Sequence, residues 1–146
     1  MPGPNELGED RSRCQNAALM RLVFIVARIL LGLMFTVFGL NGFLHFLPMQ
    51  MPSGLAGQFF GVIFRSGFYV LIFATQTVAG ILLLVGRFVA FGLALLAPVI
   101  ANILAFHLTM EPAGLAPGLV ALVLWILAVI AARRNFMPLF EAVVRE

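Results

Sequence analysis

Four apolar stretches dominate this sequence, and each is long enough to cross a lipid bilayer. They cover residues 29–47, 68–85, 88–108 and 115–132. As an α-helix, a stretch of about nineteen residues is about 28 Å long, which matches the hydrocarbon core of a membrane. Hydrophobic residues make up 62% of the chain and charged residues only 10%, too few to cover a soluble surface. The sequence therefore predicts an all-α, polytopic membrane protein built as a transmembrane four-helix bundle.

The breaks between the stretches carry helix-ending signals. Pro48 and Pro52 follow the first stretch, and proline cannot continue a helix. Residues 55–64 are apolar but too short to span, which predicts a short interfacial helix between helices one and two. The second stretch ends at Gly86 and Arg87, a glycine cap followed by a cation near the helix C-terminus.

The polar ends of the chain lie outside this membrane region. Residues 1–16 are rich in proline, glycine and polar side chains, which predicts a disordered cytoplasmic tail. Residues 17–140 form the predicted membrane domain, and residues 141–146 a cytoplasmic C-terminal tail.

Cys14 is the only cysteine, which excludes an internal disulfide and a Cys-x-x-Cys redox pair.

The nine basic residues are all arginine, and they flank the stretches unevenly. Seven fall on one predicted side: Arg11, Arg13, Arg21, Arg87, Arg133, Arg134 and Arg145. Only Arg65 falls on the other, so the positive-inside rule places both termini of this multi-pass protein in the cytoplasm. Arginines at the ends of apolar segments indicate contact with lipid headgroups, not with nucleic acid. Arg21 and Arg28 lie seven residues apart on one helix face, from which they would reach headgroups.

A few polar residues fall within or beside the predicted spans, where hydrocarbon makes them costly unless they have partners. The candidate pocket residues are Asn41, His45, Gln76, Asn102, His107 and Glu111. Counted at 1.5 Å per residue, the two Asn/His pairs share the outer half of the bilayer. Each pair also precedes a similar Pro, Gly, Ala and Leu segment, at residues 51–57 and 111–118, which suggests a faint internal repeat. We expect an outward-opening pocket between the first and third spans, with Gln76 contributed by the second.

Two interpretations of these polar residues stay open. A quinone headgroup needs hydrogen-bond donors for its carbonyls and an apolar groove for its tail, and His107 with Glu111 would pass protons to water. Alternatively, the same side chains bond one another as interhelical glue. His45 and His107 differ in depth by about 5 Å on this count, which disfavours a haem between them, and no metal site is predicted.

Several segments resemble the DoxX family of small bacterial four-helix membrane proteins. The similar residues are 27–33, 39–41, 78–87 and 97–107, within a resemblance that covers about residues 20 to 140. The segment 97–107, APVIANILAFH, is the most specific. The resemblance implies a four-helix domain in the bacterial inner membrane and an association with membrane oxidoreductase complexes, among them one for thiosulfate:quinone oxidoreduction.

Together these features predict a quinone-interacting or scaffold subunit of a membrane redox system. It would not be a complete enzyme alone, because the sequence shows no flavin, haem-attachment, iron–sulfur or dithiol signature. Expected partners are the lipid bilayer, membrane oxidoreductase subunits and a second copy of the chain. A small transporter or channel with a polar site between helices, and a purely structural membrane partner, are the alternatives.

Overall fold

The computed structural model describes residues 4–48 and 51–136, with side chains from residue 13 onward, and this part of the chain contains helices and no strand. The prediction of an all-α protein is confirmed. A single 3-10 turn, Pro112–Gly114, precedes the last helix. The five helices are α1 (Pro4–Leu44), α2 (Gly54–Arg65), α3 (Tyr69–Val85), α4 (Val89–Thr109) and α5 (Leu115–Phe136).

Three helical segments in the described part of the chain are long and apolar enough to cross a membrane. They are Arg13–Leu44, Val89–Thr109 and Pro112–Phe136. The pair α2 and α3 gives a fourth candidate if it is counted as one span, although α3 turns 86° away from α2. These segments indicate a membrane protein.

The first helix begins earlier than the sequence predicted. Residues 4–16, predicted as a disordered tail, continue α1 without a break. Pro4 suits the first helical position because the proline ring holds φ near the helical value. Residues 13–20 are exposed, so this end of α1 is not covered by other parts of the described chain. The predicted C-terminal tail, residues 141–146, lies outside the described residues.

Four of the helices pack as a ring. α1 packs against α3 and α5, and α4 packs against the same two helices, so that α1 and α4 lie across the ring from each other. The buried side chains at the centre come from all four helices: Leu31, Phe35, Ala79, Leu83, Leu93, Leu96, Ile100, Ala121 and Ala128. Trp125 ties α5 to α4, because its indole Nε1 donates a hydrogen bond to the Leu93 carbonyl at 2.9 Å.

The contact between α1 and α3 depends on glycine. A Cβ placed on Gly80 would stand 2.6 Å from the backbone nitrogen of Thr36 and 2.8 Å from the carbonyl oxygen of Gly32. On α1, Gly39 meets Thr77 and Phe73 in the same way. Backbones this close are typical of membrane helix pairs, which associate through packing of small residues.

The turn between α3 and α4 contains the predicted glycine cap. Gly86 adopts a left-handed conformation (φ 76°), and its N–H donates to the Leu82 carbonyl at 3.0 Å. Phe88 is also left-handed (φ 54°) and leads directly into α4. The chain therefore reverses within three residues, which brings α3 and α4 side by side.

Candidate functional site

Two of the six predicted pocket residues lie in one cavity. His107 and Glu111 border a cavity of about 420 Å³ at the C-terminal end of α4. The remaining walls come from the start of α2, the segment that precedes it and one phenylalanine of α4: Met51, Pro52, Ser53, Phe60 and Phe106. This volume lies in the range of small-molecule sites, which are mostly apolar with a few polar groups that orient the ligand.

The imidazole of His107 is held in place from two sides. Its Nδ1 lies 2.8 Å from the backbone carbonyl oxygen of Glu111. A carbonyl oxygen only accepts hydrogen bonds, so Nδ1 carries the proton and the Nε2 of the neutral ring is left as an acceptor. The ring also rests on Gly114, where a Cβ would overlap Cε1 and stand 2.6 Å from Nδ1 and 3.0 Å from Nε2. Only glycine leaves room for the ring at this distance.

Aromatic rings form the apolar wall of the cavity. Phe106 contacts Phe60 edge-on, with ring centroids 5.3 Å apart, and stacks on Phe59 at 5.9 Å. It also meets the neighbouring ring of His107 at 5.1 Å. Further along α2, Phe64 stacks on Tyr69 at 5.0 Å. These contacts hold α2 over the ends of α3 and α4, so the cavity has an aromatic side and an imidazole side.

Asn41 and His45, predicted to join this pocket from the first span, form a different structure. Asn41 is 1% exposed, and its side chain closes the turn after α1. Its Oδ1 accepts from the N–H of Leu47 at 2.6 Å, and its Nδ2 donates to the Leu47 carbonyl at 3.3 Å. His45 is exposed, and its Nδ1 lies 3.1 Å from the Phe43 carbonyl. The Asn41 amide and the Nδ1 of His45 therefore both contact backbone of their own segment.

The two remaining candidates also lie away from the cavity wall. Gln76 is 7% exposed and belongs to the buried face of α3. Asn102 is exposed, and its Nδ2 donates to the carbonyl of Pro98, one turn back on α4, at 2.9 Å. The structure therefore does not bring the candidates of the first and third spans together at this cavity, since α1 lies across the ring from α4. The observed cavity lies between α4 and α2.

Sequence reasoning missed the walls that α2 and its preceding segment provide. The faint repeat was the available signal, since residues 51–53 and Glu111 come from its two copies and both border the cavity. Gly114, which seats the His107 ring, is not among the predicted pocket residues. Within residues 4–48 and 51–136, no three His, Cys, Asp or Glu side chains come together in a group that could hold a metal ion.

Comparison with known proteins adds no relative from which a role could be transferred to this cavity. The chain matches no protein-family model, no curated protein and no solved structure.

Proposed function

We propose that this protein is a membrane subunit of a redox system and that its cavity at the end of α4 binds the headgroup of a quinol. In this proposal α1, α3, α4 and α5 cross the bacterial inner membrane and α2 lies along its outer surface. The arginine distribution supports cytoplasmic termini. The observation that carries the proposal is the fixed His107 ring, which borders a cavity with an aromatic wall.

The cavity matches both the hydroxyl groups and the aromatic ring of a quinol headgroup. A quinol hydroxyl donates a hydrogen bond, and the Nε2 of neutral His107 accepts one. The rings of Phe60 and Phe106 offer faces and edges for the aromatic headgroup, and the exposed apolar side chains of α2, such as Phe59 and Val62, lead toward lipid, where an isoprenoid tail would lie.

The same geometry supplies a route for protons. Oxidation of a quinol to a quinone releases two electrons and two protons. In this proposal the electrons pass to a partner oxidoreductase subunit, and Nε2 of His107 accepts the two protons one after the other. The half-buried Glu111 at the same cavity would relay each of them to water before the next is accepted. The resemblance to the DoxX family supports the redox setting, and the site supports the choice of ligand.

The two histidines of the chain provide a matched test. A short-tailed quinol is titrated into the purified protein in neutral detergent, and the melting temperature gives an apparent Kd. We expect His107→Ala to weaken binding by up to about tenfold, the value of one hydrogen bond with its desolvated partner. His45→Ala removes an exposed imidazole outside the cavity, and its Kd should equal that of the wild type. Equal binding by both variants, or no binding by the wild type, would contradict the proposal.

A further inference from the structure

A second cavity lies at the opposite end of the helices, between α1 and α5. Its volume is about 620 Å³, and its charged residues are Arg21 and Arg28, both on α1. Asn135 borders it from α5. The rest of the wall is apolar: Ala17, Met20, Phe24, Ile25, Val89, Ala128, Ala131 and Ala132. No acidic residue is among those that border this cavity in the described part of the chain.

Arg28 has an unsatisfied donor at this cavity. Its Nε is buried and has no hydrogen-bond partner among the described residues. One terminal nitrogen, Nη1, would stand 2.7 Å from a Cβ placed on Gly86, so the guanidinium lies beside the C-terminal cap of α3. The negative end of the α3 dipole favours a cation there. The dipole does not supply an acceptor for the Nε–H, and a buried donor of a charged group is costly when it is left unpaired.

Arg21 adds a second positive charge at the same cavity. Seven residues separate it from Arg28, which is two helical turns, or about 10.5 Å along α1. Two like charges in a cleft with apolar walls raise the local concentration of anions. The guanidinium fork presents parallel N–H groups that match two oxygens of a phosphate. An anion with that geometry suits a cavity that two guanidinium groups and no carboxylate of the described chain border.

We propose that this cavity binds the phosphate group of an anionic ligand, held by Arg28 and Arg21. A lipid headgroup and free phosphate share this chemistry. The apolar wall formed by Met20, Phe24 and Ile25 favours an anionic phospholipid, since acyl chains would cover these side chains and a free anion would not. The site is independent of the quinol cavity, because the two cavities share no residue.

The test compares two arginines near the same end of the protein. Delipidated full-length protein in neutral detergent is titrated with dioctanoyl phosphatidylglycerol, dioctanoyl phosphatidylcholine or inorganic phosphate, and melting temperature is recorded. Phosphatidylglycerol should stabilise the wild type saturably, and Arg28→Gln should weaken its apparent Kd by about tenfold or more, as expected for a charged hydrogen bond. Arg87 is exposed in the α3–α4 turn and does not border the cavity, so Arg87→Gln should bind like the wild type.

A second variant covers the case in which Arg28→Gln fails to fold. Ala131 is an exposed residue of the cavity wall on α5, and Ala131→Phe should fill the cavity while both arginines stay; it should weaken binding similarly. Saturable stabilisation by inorganic phosphate that depends on Arg28 would identify free phosphate as the source. The proposal is overturned if phosphatidylglycerol stabilises Arg28→Gln or Ala131→Phe as strongly as the wild type, or if phosphatidylcholine acts as strongly as phosphatidylglycerol.

Discussion

Replacing Gly80 by alanine should push α1 and α3 apart. The new Cβ would stand 2.5 Å from Oγ1 and 2.6 Å from N of Thr36, and 2.8 Å from the carbonyl oxygen of Gly32. Two of these three atoms are backbone, and the third is fixed because Thr36 Oγ1 donates to the Gly32 carbonyl at 2.7 Å. No side-chain rotation relieves the overlap. Since ordinary contacts begin near 3.5 Å, the helices must separate locally by about 1 Å.

The cost follows from that separation. Overpacking of a close interface costs about 1–3 kcal/mol, and a gap of 0.5–1 Å removes about a quarter to a half of the dispersion energy of each affected contact. Alanine favours the helix over glycine by up to about 1 kcal/mol, which offsets part of the cost. We expect a net loss of about 1–2 kcal/mol in the free energy of unfolding. Apolar burial would not compensate in a bilayer, because lipid tails are as apolar as the side chains.

The assay is reversible unfolding in mixed micelles with increasing sodium dodecyl sulfate, followed by far-ultraviolet circular dichroism. Gly61→Ala in α2 is the matched control, since its nearest neighbour would be a terminal nitrogen of Arg65 at 3.8 Å. It gains the same helix propensity without a clash and should be as stable as the wild type or slightly more stable. The reasoning is refuted if Gly80→Ala unfolds at the same detergent fraction as Gly61→Ala.

Four further substitutions, the last of them a control, test the site and its supports. Gly114→Ala should displace the His107 ring and lower quinol affinity as much as His107→Ala does, measured by the same titration. Trp125→Phe leaves a backbone carbonyl of α4 without its donor and should lower the free energy of unfolding by about 1 kcal/mol in the detergent assay. Asn41→Leu leaves an N–H and a carbonyl of the turn after α1 unpaired and should cost about 1–3 kcal/mol, whereas Asn102→Leu, on an exposed face, should not destabilise the protein in that assay.

The positions of the helices and most of their ends could be predicted from the sequence. The all-α prediction rests on apolar stretches that only helices can accommodate in hydrocarbon, and the left-handed Gly86 ends α3 where predicted. The start of α1 differs because polar composition was taken as disorder, although Pro4 also suits the first turn of a helix. Composition alone does not separate these two outcomes.

The candidate site was only partly predictable, because the spacing of polar residues along the chain does not determine the order of the helices around the ring. Depth counting placed Asn41 and Asn102 at similar heights, but α1 and α4 lie across the ring from each other. Both amides bond nearby backbone and not a residue of another helix. Asn41 bonds the turn that follows α1, and Asn102 bonds the preceding turn of α4. Short-range partners cost less chain entropy than partners on another helix.

The segment after each histidine decides whether that histidine joins a cavity. After His45 (φ 52°), Pro48 follows within three residues, and the Asn41 side chain accepts a hydrogen bond from the backbone of this turn. After His107, the 3-10 turn Pro112–Gly114 brings the Glu111 carbonyl to Nδ1 and places a glycine against the ring. Two similar Asn/His pairs therefore have different surroundings, because the backbone after α1 returns to the Asn41 amide and the backbone after α4 returns to the His107 ring. The chemistry of this site depends on that turn as much as on the imidazole.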